Sequence, residues 1–177
     1  MRDEREILSL EPVGADPQVG LWLAALDDCR QRTVDALAEV HEDMLDVEPD
    51  GTDSIGSLLY HIALVEADWL FADILGPDVP PPNRLSELLP VPDRDDAGRL
   101  TRVGGEDLTT HLRRLEEIRA FVRLHLDAMQ VDEFRRLRTR DSWDVSPAWV
   151  IHHLLQHEAE HRSQIAWTRD AVAAAGV

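Results

Sequence analysis

The chain has 177 residues, is 44% hydrophobic and carries a formal net charge of -17, so it is long and apolar enough to fold as one domain, residues 1–177, and is not a disordered polymer. The acidic balance, with a pI near 4.7, argues against nucleic acid and anionic membrane surfaces as partners. The absence of an apolar run long enough to cross a membrane or direct secretion, and a single cysteine, Cys29, that permits no internal disulfide, predict a cytoplasmic protein.

All 18 basic residues are arginine. That removes lysine Schiff-base and lysine-nucleophile chemistry, and the bias toward arginine and alanine codons points to a high-GC bacterial genome.

In chain order, Asp16-Pro17 supplies an N-cap and a first-turn proline. The apolar series Leu21, Leu26, Val34, Leu37, Val40, Leu45 then predicts a first helix running to the breaker Pro49-Asp50-Gly51. Thr52 or Asp53 caps a second helix through about Leu75, stopped by Gly76-Pro77. About thirty residues of connection follow, punctuated by Pro80, Pro81, Pro82, Pro90, Pro92 and Gly104-Gly105, which exclude a long regular element. A loop of that length is unusual and is expected to cover a site or a dimer surface. A third helix runs from about Asp107 to Met129, with Leu115, Ile118, Val122 and Met129 on one stripe. Ser146-Pro147 opens the fourth, which continues to about Ala173. No stretch alternates with period two for long enough to predict a sheet. The fold class expected is all-α, an antiparallel four-helix bundle with a long proline-rich crossover between helices two and three.

Four of the eight histidines lie within ten residues of the fourth helix: His152, His153, His157 and His161. At about 100° per residue, Val150, Leu154, His157, His161 and Ile165 share one apolar arc. His153 sits at its edge, and His152 points nearly the opposite way. On the second helix Ser54, Leu58, His61, Val65, Trp69 and Ala72 share a face, so His61 is expected to look inward. A lone inward histidine is ordinarily a hydrogen-bonded core residue. An i, i+4 pair on an apolar face, met by a third from another helix, is a divalent-metal set. Three neutral imidazoles suit Zn²⁺ or Ni²⁺ and leave a position open for water or substrate. With unperturbed rings, protons should displace such an ion below about pH 6.

The segments Ser54-Ile55-Gly56-Ser57-Leu58-Leu59-Tyr60-His61-Ile62-Ala63 and His157-Glu158-Ala159-Glu160-His161-Arg162-Ser163-Gln164-Ile165 resemble the second- and fourth-helix signatures of the DinB-like (YfiT-like, damage-inducible) superfamily. The resemblance covers about residues 17–173. It implies a four-helix bundle, frequently a homodimer, with a divalent metal on His61, His157 and His161. Two positions depart from many relatives, which have histidine where Glu160 stands and glycine where Ser163 stands. Relatives include transferases that use mycothiol or bacillithiol and a mycothiol-dependent maleylpyruvate isomerase. The function so implied is transfer of a low-molecular-weight thiol to a small electrophile, with the metal lowering the thiol pKa. Metal-hydroxide hydrolysis is the alternative reaction. A non-catalytic metal-binding or stress-response protein is the alternative class, in which His153 or a carboxylate closes the shell as a fourth ligand.

Other residues have blander readings. Glu158 and Glu160 read as solvated helix-surface acids, with orientation of an imidazole as the alternative. Trp22, Trp69, Trp149 and Trp167 read as core or interface packing, and Trp143 as a connector residue able to roof the site. His125 reads as a core histidine, Cys29 as a buried small hydrophobe, and the arginine clusters at 113–114 and 135–140 as balancing nearby carboxylates.

Overall fold

Asp16 starts the first helix, its carboxylate accepting from the backbone of Gln18 and Val19. In the computed structural model, which describes residues 7–176, helix α1 spans Pro17–Ala36 and α2 spans Ile55–Asp68, continuing through a π-helical turn, Trp69–Leu75, to Gly76. Helix α3 is the short Asn83–Leu88 within the proline-rich connection, α4 is Leu108–Leu126 and α5 is Val131–Arg135. Strands β1 (Arg138–Thr139) and β2 (Asp144–Val145) pair antiparallel, and α6 spans Pro147–Ala175. Asp107 and Ser146 cap α4 and α6 through Thr110 and Trp149. The fold is thus mostly helical, and α1 packs chiefly on α6 while α2 packs on both α4 and α6. Among the described residues no helix is long and apolar enough to cross a membrane.

Four details differ from the sequence expectation. The first helix ends at Ala36 and not at Pro49. No glycine or proline marks that stop; burial imposes it. Leu37, Val40, Met44 and Leu45 all turn into the core, and Glu42 and Asp46 reach across to accept from Leu108 N (3.1 Å) and Gly105 N (2.7 Å). Tertiary contact here overrides local propensity. The second helix is capped by Ser54, which accepts from Ser57 N at 3.2 Å, and not by Thr52 or Asp53. The third difference is the π turn. Gly76 N donates to Phe71 O at 2.9 Å, five residues back, so the face rotates after Trp69 and Ala72 is exposed while Phe71, Asp73 and Ile74 are buried. Finally, the connector before α6 folds into the two-residue ladder of β1 and β2, too short to leave an alternating pattern.

Two apolar clusters make the core, and a layer of charge lies between them. One cluster includes Leu58, Ile62, Ala63, Leu115, Ile118 and Ile165; the other includes Leu23, Leu26, Leu70, Val122 and Leu154. Each of the four long helices contributes one member to this layer: the buried Glu66, Arg119 and Glu158, and the partly buried Arg30. Arg30 Nη2 donates to Glu66 Oε2 at 2.7 Å and its Nε to Glu158 Oε1 at 2.7 Å. Arg119 Nε donates to Glu66 Oε1 at 2.5 Å and its Nη2 to Glu158 Oε2 at 3.3 Å. Spare donors are used as well, on Leu115 O and Leu26 O. Glu158 is therefore not a surface acid: it is 3% exposed, whereas Glu160 is exposed as expected.

Removing one member leaves an uncompensated buried charge, which costs about 3–5 kcal/mol. Glu66→Gln is expected to lose that much in urea denaturation, against about 0.5 kcal/mol or less for Glu160→Gln. Burial alone would raise the Glu66 carboxyl, but Arg119 and Arg30 outweigh it and hold the group below the ordinary carboxylate range. A depressed folded value means the contribution is complete above the unfolded pKa of about 4.3 and is lost as pH falls through the folded value. Acid titration of stability should be steeper below that point in the wild type than in Glu66→Gln.

Candidate metal centre

Between Leu154 and Ile165, helix α6 buries no apolar side chain; in that stretch Glu158 enters the charge layer while His157 and His161 turn toward α2. His61 comes from the middle of α2 and is buried. The three histidines expected from the sequence meet: one ring nitrogen from each lies within 4.8 Å of the other two. His157 Nε2 is 3.1 Å from His61 Nε2 and 3.0 Å from His161 Nε2. Tetrahedral ligation at about 2.0–2.1 Å sets nitrogens about 3.3 Å apart, close to this spacing.

Hydrogen bonding at the far side of two rings decides what faces the centre. The Asp93 carboxylate accepts a hydrogen bond from His61 Nδ1–H. Gln164 Oε1 accepts from His161 Nδ1 at 2.6 Å. Both rings therefore present a bare Nε2 inward, one on each side of His157 Nε2. A proton on His157 Nε2 can serve only one of them, so at least one lone pair is left facing another nitrogen. A cation satisfies all three at once, and the residues fit a divalent ion.

Burial first, and then the neighbouring His161 and His61, push His157 down to about 3; burial likewise lowers His161. His157 thus stays neutral at pH values where a free imidazole is charged. This moves proton competition for that ring below the pH of about 6 expected from unperturbed rings.

A cavity of about 470 Å³ is lined by the three rings together with Val65, Trp69, His153, Asp53, Asp93 and Gln164. His153 lines it but is absent from the nitrogen cluster; its ring stacks on Trp149 at 5.3 Å and 10° and meets Trp69 at 4.9 Å. The proline-rich connection supplies Asp93, Arg94 and Leu100 to the rim, so it borders the site as its length suggested.

Trp143 stacks on Trp69 at 5.7 Å but lines a separate cavity of about 1050 Å³ formed with the end of α2 and α3. It backs the wall of the histidine cavity and does not roof it. Trp22, Trp149 and Trp167 are 38%, 49% and 51% exposed, and so are not core. His125 sits edge-on to Phe71, Cys29 is buried, and His152 is exposed against Trp22. Arg114 pairs with Glu106 at 2.7 Å, and Arg136 and Arg138 both pair with Glu133. Asp93 and the four members of the charge layer were not singled out in the sequence as parts of one constellation.

The sequence pattern of the DinB superfamily matches residues 25–165. Among solved structures, a conserved protein from Enterococcus faecalis is similar, with a TM-score of 0.67 and 18% identity, over 87% of this chain and 96% of that one. At that identity the likeness is one of fold. Comparison with curated proteins finds no match.

A depressed histidine value disfavours protonation in the folded state. The stability it contributes is whole above the unfolded pKa of about 6.5 and is lost as pH falls toward the folded value of about 3. Chelator-treated protein should therefore melt at progressively lower temperature from pH 6.5 downward. His157→Ala should flatten that slope above pH 5, beyond the ordinary carboxylate range of about 3.9–4.3.

Proposed function

Because the chain belongs to the DinB superfamily, we propose that it is a divalent-metal-dependent thiol transferase or isomerase, with Zn²⁺ or Ni²⁺ on His61, His157 and His161. The observation that carries this reading is the convergence of three imidazole nitrogens, two of them held proton-free on the inner side by Asp93 and Gln164. All-imidazole donors suit these borderline cations. An ion bound there would lower the pKa of a sulfhydryl offered to it, making a thiolate available near neutral pH.

The remaining work falls to the chain. Asp93 keeps a proton on His61 Nδ1, and Gln164 keeps one on His161 Nδ1, so neither ring can turn its bare nitrogen away. The cavity volume of about 470 Å³ lies within the range of about 300–1,000 Å³ typical of small-molecule pockets. Trp69 and His153 in its lining offer aromatic surface to a small electrophile, and Asp53 and Gln164 offer polar partners to a thiol. Structural metal sites are ordinarily closed by four protein ligands. Here three converge while His153 is stacked on Trp149, which supports an open site over a purely structural one.

The same reading takes the four long helices as an antiparallel bundle, with the proline-rich connection crossing between the second and third. It places the protein in the cytoplasm as a single domain and a homodimer. The half-exposed Trp22, Trp149 and Trp167 offer apolar area for a second copy.

Elemental analysis of tag-free protein tests the metal. About one ion per chain is expected, lost in His61→Ala and kept in His152→Ala, whose ring lies outside the cluster. Loaded protein should then transfer mycothiol or a simpler thiol to a small electrophile, and His157→Ala should not. A chain that binds neither Zn²⁺ nor Ni²⁺ when they are offered would sink this reading.

A further inference from the structure

The carboxylate that meets His61 comes from none of the four long helices. Asp93 lies in the proline-rich connection, 32 residues from His61, and the chain around it is tied down. The Tyr60 hydroxyl, one residue before His61, donates to Val91 O at 2.7 Å and accepts from Val91 N at 3.0 Å. Thr101 N donates to Asp93 O at 2.9 Å, and Arg94 pairs with Leu100 in an isolated antiparallel bridge. Asp95 closes the turn between them by accepting from Ala97 N and Arg99 N. The second oxygen of Asp93 faces Arg94 Nε at 3.3 Å. One oxygen is thus committed to His61 and the other to the rim, on a backbone held at both flanks.

We propose that Asp93 is a positioning residue for the bound ion and that, through it, the proline-rich connection and the metal stabilise each other. The proposal rests on the three-histidine reading above. The carboxylate holds the His61 proton on Nδ1 and aims the Nε2 lone pair at the nitrogens of His157 and His161. It also raises the donor strength of the ring, as carboxylate partners of metal-bound histidines do. Gln164 performs only the first of these tasks for His161, because a neutral amide adds no charge. Coupling follows by linkage. If the ring of His61 is held better with an ion in place, so is the segment that carries its partner, and each raises the occupancy of the other.

Zn²⁺ affinity, measured by competition with a chromophoric chelator, tests the positioning role in wild type, Asp93→Asn, Asp93→Ala and Asp96→Ala. The last removes an exposed acid of the same connection. Asp93→Ala is expected to weaken Zn²⁺ binding about 10- to 100-fold. Asp93→Asn, which keeps an acceptor oxygen, should weaken it less, and Asp96→Ala should leave it unchanged. The metal-free melting temperature of Asp93→Asn should match wild type, and its Co²⁺ absorption spectrum should not, a combination that a merely structural role would not give. Trypsin tests the coupling at Arg94, Arg99 and Arg102. Zn²⁺ should slow cleavage there in wild type and have no such effect in Asp93→Ala. Affinities within about twofold of wild type in both Asp93 variants, or Zn²⁺ protection that survives Asp93→Ala, would overturn the proposal. A wild type that binds neither Zn²⁺ nor Ni²⁺ would overturn the three-histidine reading along with it, so the two failures are told apart.

Discussion

The buried layer of Arg30, Glu66, Arg119 and Glu158 is the constraint on which the arrangement of the helices depends. Each long helix contributes one charged group, and every carboxylate oxygen of the layer meets a guanidinium nitrogen. Apolar contacts tolerate sliding and rotation at modest cost, since one methyl group can replace another. A bidentate arginine cannot shift by a turn without abandoning its carboxylate in a region that water does not reach. The layer therefore fixes the height and rotation of all four helices together, at some cost in desolvation compared with an apolar core. Glu158 and His157 are neighbours on α6, so the register that satisfies the charges also turns the adjacent imidazole toward α2.

Seen this way the histidine cluster and the charge layer are two sides of one polar belt. The belt occupies the stretch of α6 between Leu154 and Ile165 that buries no apolar group. Its inner side is neutralised within the protein by paired charges. Its outer side ends in three nitrogens with no equivalent partner, next to a solvent-open cavity. The first arrangement is closed and the second borders a cavity, although both are built from polar side chains drawn from facing helices.

Much of this was legible in the sequence, and the gaps have physical causes. Helix starts at Asp16, Asp107 and Ser146 were readable because capping is local, a side chain meeting backbone two or three residues ahead. His61, His157 and His161 were readable because helical period alone puts them on inward faces. The end of the first helix was not, since no residue between Ala36 and Pro49 breaks a helix and the turn comes from burial of Leu37, Val40 and Met44. Nor was the π turn, whose single extra residue shifts Ala72 outward without any marker in composition. Glu158 looked like a surface acid because its partners lie 128 and 39 residues away. Asp93 sits in a segment with no periodicity, so nothing short of the folded chain could pair it with His61. Of the tryptophans read as core or interface packing, Trp22, Trp149 and Trp167 are exposed and so do not belong to the core, a distinction that size and apolarity alone do not draw.

The long sequence separation within the histidine cluster has a kinetic consequence. His61 and His157 are 96 residues apart, and Asp93 reaches His61 from a segment with little helix of its own. Helical turns form locally and fast, whereas closing so long a loop around a precise nitrogen geometry belongs to the last stage of assembly. An ion that recognised only the finished geometry would have little to hold in the transition state for folding. The effect of an ion bound there would then fall on the reverse step: a loaded chain would unfold more slowly, while the rate at which the empty chain folds would be scarcely altered. Occupancy would thus set the lifetime of the native protein more than the speed of its production.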